Sequence, residues 1–206
     1  MTISTERLRL RLWRDEDLAP FAALNADPRV MEHFPKTLDR AESDEFAARI
    51  RTGLAERGFG LWAVEVPGRA EFIGYVGLKE WTFEAPFTPC IEIGWRLAFE
   101  HWGKGFASEA AGAVLAHAFG PLGLSEVVSF TVPANRRSRA VMERLGMRRS
   151  PEDDFEHPLL PEGHALRPHV FYRLARNDWA GAPPRCARSR PAGYDAGDNA
   201  RSAPTR

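Results

Sequence analysis

Cysteine is almost missing from this 206-residue chain: Cys90 lies in a strand-like run and Cys186 in a polar tail. Two thiols so placed supply no disulfide framework, which fits a reducing cytoplasm. An excess of charge of one sign is missing too. Lysine plus arginine and aspartate plus glutamate both total 28, a formal net charge of +0. A general nucleic-acid binder would carry a basic surplus. No apolar run is long enough to cross a bilayer, and the opening MTISTERLRLRLW holds no apolar signal core. The chain is therefore read as a soluble cytoplasmic protein with no specific nucleic-acid or membrane partner. Its length suffices for one domain with a sizeable core.

Periodicity organises what is present. Leu8, Leu10 and Leu12 alternate with Arg7, Arg9 and Arg11, the pattern of a half-buried strand. Asp15 opens a helix carrying Leu18, Phe21, Ala22 and Leu24, closed before Asp27-Pro28. A second helix is expected over 39–54, with Asp39 and Glu42 at capping-box spacing and Phe46, Ile50 and Leu54 on one face. Strands are expected over 60–66, 72–81 and 90–97, separated by Pro67-Gly68 and by a connection holding Pro86 and Pro89. A helix from Ala107 runs to the Gly120-Pro121 stop, and a β-branched strand covers 125–132. A short helix over 135–145 ends at Gly146, an acidic loop fills 150–168, and a last strand covers 169–175. No internal repeat is visible. This order reads as a single mixed α/β domain of α+β type over 1–179. Residues 180–206, rich in Ala, Pro and Arg, are expected to form a disordered tail.

The segment FEHWGKGFASEA at 99–110 carries the strongest chemical signal. Gly103 and Gly105 stand between a strand and a helix of small residues. A tight turn that opens a helix leaves several N–H groups unpaired and aimed outward. The helix adds about half a positive charge at that end. Such a loop cradles an anion, most often phosphate. Glycine is needed because a Cβ blocks close approach and penalises positive φ.

Trp102-Gly103-Lys104-Gly105-Phe106-Ala107 resembles the acyl-CoA pyrophosphate loop of the GNAT N-acetyltransferase superfamily. That loop reads Arg or Gln, two residues, Gly, any residue, Gly or Ala. Gly105 and Ala107 fill the last two fixed places, and Trp102 stands where Arg or Gln is usual. Trp at that place is similar to the branch resembling ribosomal-protein N-terminal (alanine or serine) acetyltransferases. So are Asn135, Ser138, Glu143, Leu145 and Gly146 in NRRSRAVMERLGM, with Met147 in place of Phe.

The resemblance covers 7–179 and implies a GNAT-like domain, a mixed central sheet splayed into an acyl-CoA slot and flanked by helices. It implies acetyl-CoA as donor and coenzyme A as product. The acceptor would be a primary amine, on a peptide N-terminus or a small molecule, and the protein a monomer or homodimer. Amides of Gly103, Lys104, Gly105, Phe106, Ala107 and Ser108 would hold the pyrophosphate, with the Ser108 hydroxyl adding a donor and Trp102 completing the loop. The pantetheine arm would pair along Glu92–Arg96, past Ile93, Gly94 and Trp95, where a bulge splays the sheet; Gly94 is its expected place. Arg136, Arg137 and Arg139 either reach the adenosine phosphates or form a solvated helix face.

Acetyl transfer needs a neutral amine, so some group must accept a proton. Glu92 is the leading base, beside the expected bulge and on the strand face shared with Gly94. Its other reading is an ion-paired edge residue. Glu156 and His157 are secondary candidates for base or acceptor recognition. Many relatives place a Tyr seven residues after the motif Asn; here that place is Met142, and Ser138 is the candidate donor to the leaving thiolate. Ser138 could equally satisfy its own helical turn. Asn135 caps that helix, binds the pantetheine amide, or does both. His33, Phe34, Trp62, Trp81, Phe83 and Trp95 are candidate acceptor walls, although aromatics in such strands are more often core.

The spacing of His157, His164 and His169 matches no standard zinc site, so no metal is expected. Lys104 precedes Gly105 with no Ser or Thr directly after it, which excludes a kinase phosphate loop. Two readings remain: an acetyl-CoA-dependent N-acetyltransferase, or a non-catalytic acyl-CoA sensor of the same fold. Met142 at the Tyr place gives the sensor its weight.

Overall fold

The computed structural model describes residues 2–181, so the expected tail lies outside the described residues from 182 onward. Among the described residues nine strands build one mixed sheet: β1 (Ile3–Ser4), β2 (Arg9–Arg11), β3 (Leu61–Val66), β4 (Ala70–Trp81), β5 (Cys90–Leu97), β6 (Glu126–Thr131), β7 (Arg148–Arg149), β8 (Phe155–Glu156) and β9 (Pro168–Ala175). They neighbour one another as β1-β2-β3-β4-β5-β6-β9-β7, with β8 added to β9. The pairings are antiparallel except that of β5 with β6, which is parallel. The α-helices among the described residues are α1 (Leu18–Ala26), α2 (Arg40–Arg57), α3 (Phe106–Phe119) and α4 (Arg136–Arg144). No helix among the described residues is long and apolar enough to cross a membrane.

Local chemistry sets the helix ends. Asp39 Oδ1 accepts from the Glu42 N–H at 2.9 Å and Glu42 Oε2 accepts from the Asp39 N–H at 3.1 Å, the reciprocal box expected at the start of α2. The sheet then separates two layers of helices. Tyr75 on β4 turns toward α1 and α2, its ring 6.0 Å from Phe21 and 6.1 Å from Phe46. Trp62 on β3 turns the other way, with its ring 5.8 Å from His117 of α3. Trp62 is fully buried, so this expected acceptor wall belongs to the core.

The first strand departs from its expected pattern. Leu8 and Leu10 are buried, but Leu12 is 51% exposed and Arg11 only 4%. β2 ends at Arg11, so Leu12 falls outside the alternation, while Arg11 is drawn inward by its carboxylate partners. Arg11 donates twice to Asp17, at 2.7 and 2.8 Å, and once to Glu65 at 2.9 Å. A buried guanidinium is tolerable only with such partners, and this one ties the start of α1 to β2 and β3. The acidic loop expected over 150–168 also holds β8, which pairs Phe155 with His169.

Candidate active site

The glycine loop has the backbone its residues demanded. Gly103 and Gly105 take φ of 71° and 78°, where a side chain is strained, and Gly105 caps α3. The N–H groups of Gly103 through Ser108 donate to no protein acceptor among the described residues; the first donor to fold back is Glu109, onto Gly105 at 3.0 Å. Phe106 is buried and Ala107 packs against the core, leaving their backbone for an anion. A bracket formed by the N-terminal turn holds the loop. Arg7 Nη1 donates to the Lys104 carbonyl at 3.0 Å, and Glu109 accepts from Arg7 Nε and Thr5 Oγ1, both at 2.6 Å.

Trp102 spends its ring N–H on the Leu97 carbonyl at 2.7 Å and lies under Arg137, whose guanidinium is 5.0 Å from the ring centroid. It secures the end of β5 rather than aiming a donor at the loop. The two residues, with Pro28, Arg29, Glu32 and Phe99, line a cleft of 340 Å³. Arg144 donates to Ser108 Oγ at 3.2 Å, bringing α4 against the loop. No spacing in the sequence marked Arg144, because the contact joins two helices.

At the start of α4, Asn135 Oδ1 accepts from the Ser138 N–H at 3.1 Å while its Nδ2 donates to Thr131 at 3.0 Å. The cap is therefore formed. The Ser138 hydroxyl has no hydrogen-bond partner among the described residues. Arg139 is committed to Tyr172 Oη at 3.3 Å and the Pro133 carbonyl at 3.2 Å, away from the role in phosphate binding considered for it. Arg137 stays largely exposed near Glu32, at 3.9 Å. Met142, at the place of the family Tyr, is 1% exposed and has no proton to offer.

The slot arises differently from expectation. β5 pairs with β4 in unbroken register from Leu97 to Cys90, so Gly94 carries no bulge in that ladder. The sheet opens on the opposite side of β5. There β5 and β6 share the single register pair Glu92–Val128, and Ser129 Oγ donates to the Ile93 carbonyl at 2.9 Å. Parallel strands tethered at one point diverge without any bulge. The Ile93 side chain is fully buried and Trp95 packs against the main core, so only their backbone is left to line the gap.

Glu92 sits at that tether. Its Oε2 accepts from Trp81 Nε1 at 2.5 Å. Burial pushes its carboxyl up to about 7, outweighing the Trp81 hydrogen bond, the Lys79 charge and the Phe130 N–H, which all favour the ionised form. A carboxyl poised there is matched to base work at neutral pH. His157 also reaches this chamber, its ring 5.8 Å from Trp81 and 5.0 Å from His169. Burial, then His169 and Lys79, push His157 down to about 4, leaving a neutral imidazole. Glu156 points away, paired with Arg167 at 3.4 Å.

Phe83 packs with Trp81, at 5.3 Å between rings, in an aromatic cluster that also holds Phe130 and Phe155. Thr82, Phe83, Glu84, Ala85, Thr88 and Pro89 line a hollow of 520 Å³ just outside. Phe34 lies against Arg96 at 4.0 Å, and His33 stays beside Glu32 at 3.8 Å. Among the described residues no group of three or more His, Cys, Asp or Glu could hold a metal ion.

Residues 7–148 match the acetyltransferase (GNAT) domain family. The chain is 33% identical over 144 residues to YkkB of Bacillus subtilis (strain 168), covering 69% of this chain and 83% of YkkB. It is 32% identical over 187 residues to FsC-acetyl coenzyme A-N(2)-transacetylase of Aspergillus fumigatus, covering 86% of this chain and 77% of that protein. A solved GNAT-family acetyltransferase from Bacillus anthracis superposes with a TM-score of 0.71 at 26% identity, over 86% of this chain and 99% of its own. With its sheet parted at Glu92 and a glycine loop of free amides, the chain belongs to the GNAT acetyltransferase family, the acyltransferases whose donor is acetyl-CoA.

Proposed function

We propose that this enzyme acetylates a primary amine with Glu92 as general base. One observation supports this reading above the others: a carboxyl raised to about 7 stands where β5 and β6 part, at the head of the gap. The pyrophosphate is assigned to the amides of Gly103 through Ser108, with the Ser108 hydroxyl and Arg144 at their edge. The pantetheine arm follows the backbone of Ile93, Gly94 and Trp95. The amine nitrogen attacks the thioester carbon, a C–N bond forms and the C–S bond breaks. The nitrogen's proton passes to Glu92, and the departing sulfur takes a proton relayed through the unpartnered Ser138 hydroxyl, which regains one from solvent as it gives one up. Coenzyme A is the product. Balanced charge and sparse cysteine support a cytoplasmic setting without nucleic-acid partners.

The test is free-thiol release from acetyl-CoA across a panel of peptides and small amines. Turnover with some member is expected. Tight coenzyme A binding by calorimetry with silence across the panel would select the acyl-CoA sensor, the reading to which Met142 lends weight.

A further inference from the structure

Glu92 has neighbours in register. Directly opposed residues of antiparallel strands share a face, so Lys79 stands with Glu92, Gly77 with Gly94, and Tyr75 with Arg96. The result is a trough along β5. Glu92 and Lys79 mark one end and Arg96 the other, with Cα atoms about 13 Å apart by strand rise. No side chain lies between them on β5.

The two glycines leave that gap for different reasons. A Cβ on Gly77 would run into the Gly60 carbonyl, so the fold itself requires glycine there. A Cβ on Gly94 would meet nothing within 4 Å, and its φ lies outside the left-handed region. Nothing in the folded chain requires glycine at 94. The space above it is room for a ligand.

The far end of the trough carries positive charge without a carboxylate. Arg96 is 8% exposed and has no carboxylate partner among the described residues. Its Nη1 donates to Asn25 at 2.6 Å, Asn25 donates to Ser43 at 2.9 Å, and its Nε has no partner. Phe34 at 4.0 Å and Tyr75 at 5.6 Å box the guanidinium. A buried cation without a counter-charge is costly. Lys79, exposed on the same face, holds its ammonium 3.4 Å from the Trp81 ring centroid. Arg49 of α2 adds positive charge near Lys79, shared with Glu45 at 3.8 Å. Glu92 is the carboxylate acting on Lys79, and it is the group needed to take a proton.

We infer that the acceptor is a primary amine that also carries a carboxylate, the carboxylate held at Arg96 while its nitrogen lies beside Glu92 at the other end of the trough. This rests on the acetyl-transfer reading above. The length of the trough selects a linear molecule whose amine is several bonds from its carboxylate. The N-terminus of a basic protein brings further positive charge to Lys79 and Arg96 and is disfavoured.

Two readouts test this. Calorimetry on the protein saturated with coenzyme A compares ω-amino carboxylates of graded length with their methyl esters and with simple alkylamines. Thiol release from acetyl-CoA follows the same compounds. Carboxylates are expected to bind and react about tenfold or more better than esters, the scale of a hydrogen-bonded charge. Arg96→Gln should erase that preference and Arg96→Lys should restore part of it, with the KM for acetyl-CoA unchanged. The comparison of carboxylates with esters on the wild-type protein keeps the test decisive if Arg96→Gln fails to fold. Esters and alkylamines that match the carboxylates in both readouts overturn the inference. A carboxylate preference in binding that depends on Arg96, without turnover of any amine, upholds the trough and rejects the acetyl-transfer reading instead.

Discussion

Trp81 Nε1 donates to Glu92 Oε2 at 2.5 Å, joining the end of β4 to the middle of β5. The bond favours the ionised carboxylate while burial opposes it, and burial wins, leaving the group near 7. Wild-type kcat/KM should therefore rise with pH through about 7 as the base loses its proton. Removing the donor in Trp81→Phe should move that limb to higher pH. Glu92→Gln should abolish the limb and lower kcat/KM by about 100-fold or more. Acetyl-CoA binding measured by calorimetry should be unchanged.

The same carboxyl has a stability consequence of opposite sign. Its folded value of about 7 exceeds the ordinary 4.5, so the native state holds the proton more tightly. That contribution is fully present below 4.5 and is lost as pH rises through about 7. Above pH 7 the wild type carries a desolvated charge, a cost of up to about 3 kcal/mol from the shift. Urea unfolding should find Glu92→Gln more stable than wild type under alkaline conditions, with the difference shrinking on acidification.

His157 shares the chamber but is already neutral, pushed down to about 4 by burial. His157→Asn should leave the limb near 7 in place and change mainly the acceptor KM. A limb that disappears in His157→Asn and persists in Glu92→Gln would reverse the assignment of the base.

Gly105 caps α3 at φ 78°. Alanine there meets little steric opposition, the nearest atom being Arg7 Nη2 at 3.5 Å, but the left-handed backbone costs about 1–2 kcal/mol. The loop should relieve that strain by turning its amides. Gly105→Ala is expected to raise the KM for acetyl-CoA by about tenfold with only a small fall in Tm.

Arg11, Asp17 and Glu65 form a buried charge group far from the chemistry. Asp17→Ala removes two of the guanidinium's charged hydrogen bonds, leaves Glu65 as its remaining carboxylate, and should cost about 1–3 kcal/mol in chemical denaturation. The variant that remains folded at low temperature should keep the wild-type pH profile, since Glu92 touches none of the three.

Features decided within a few residues were legible. The Asp39–Glu42 box, the Asn135 cap, the positive-φ glycines and the bounds of β5 all follow from neighbours in sequence. Leu12 is exposed because β2 ends at Arg11, and Arg11 is buried because Asp17 and Glu65 pair with it, neither of which strand alternation encodes. Trp62 was misplaced as a wall for a related reason: its apolar ring suits core and pocket equally, and strand pairing chose the face toward His117.

The chain by itself determined a glycine loop that leaves amides free, a capped helix beside it, and therefore a donor bearing phosphates. Those properties depend on φ, capping and helix polarity, which act over one or two turns. Only the tertiary structure decided where the sheet opens, that Trp81 and Lys79 stand beside Glu92, and that Arg96 closes the trough without a counter-charge. Those relations come from the register of strands distant in sequence, and the burial that retunes Glu92 exists only once they are assembled.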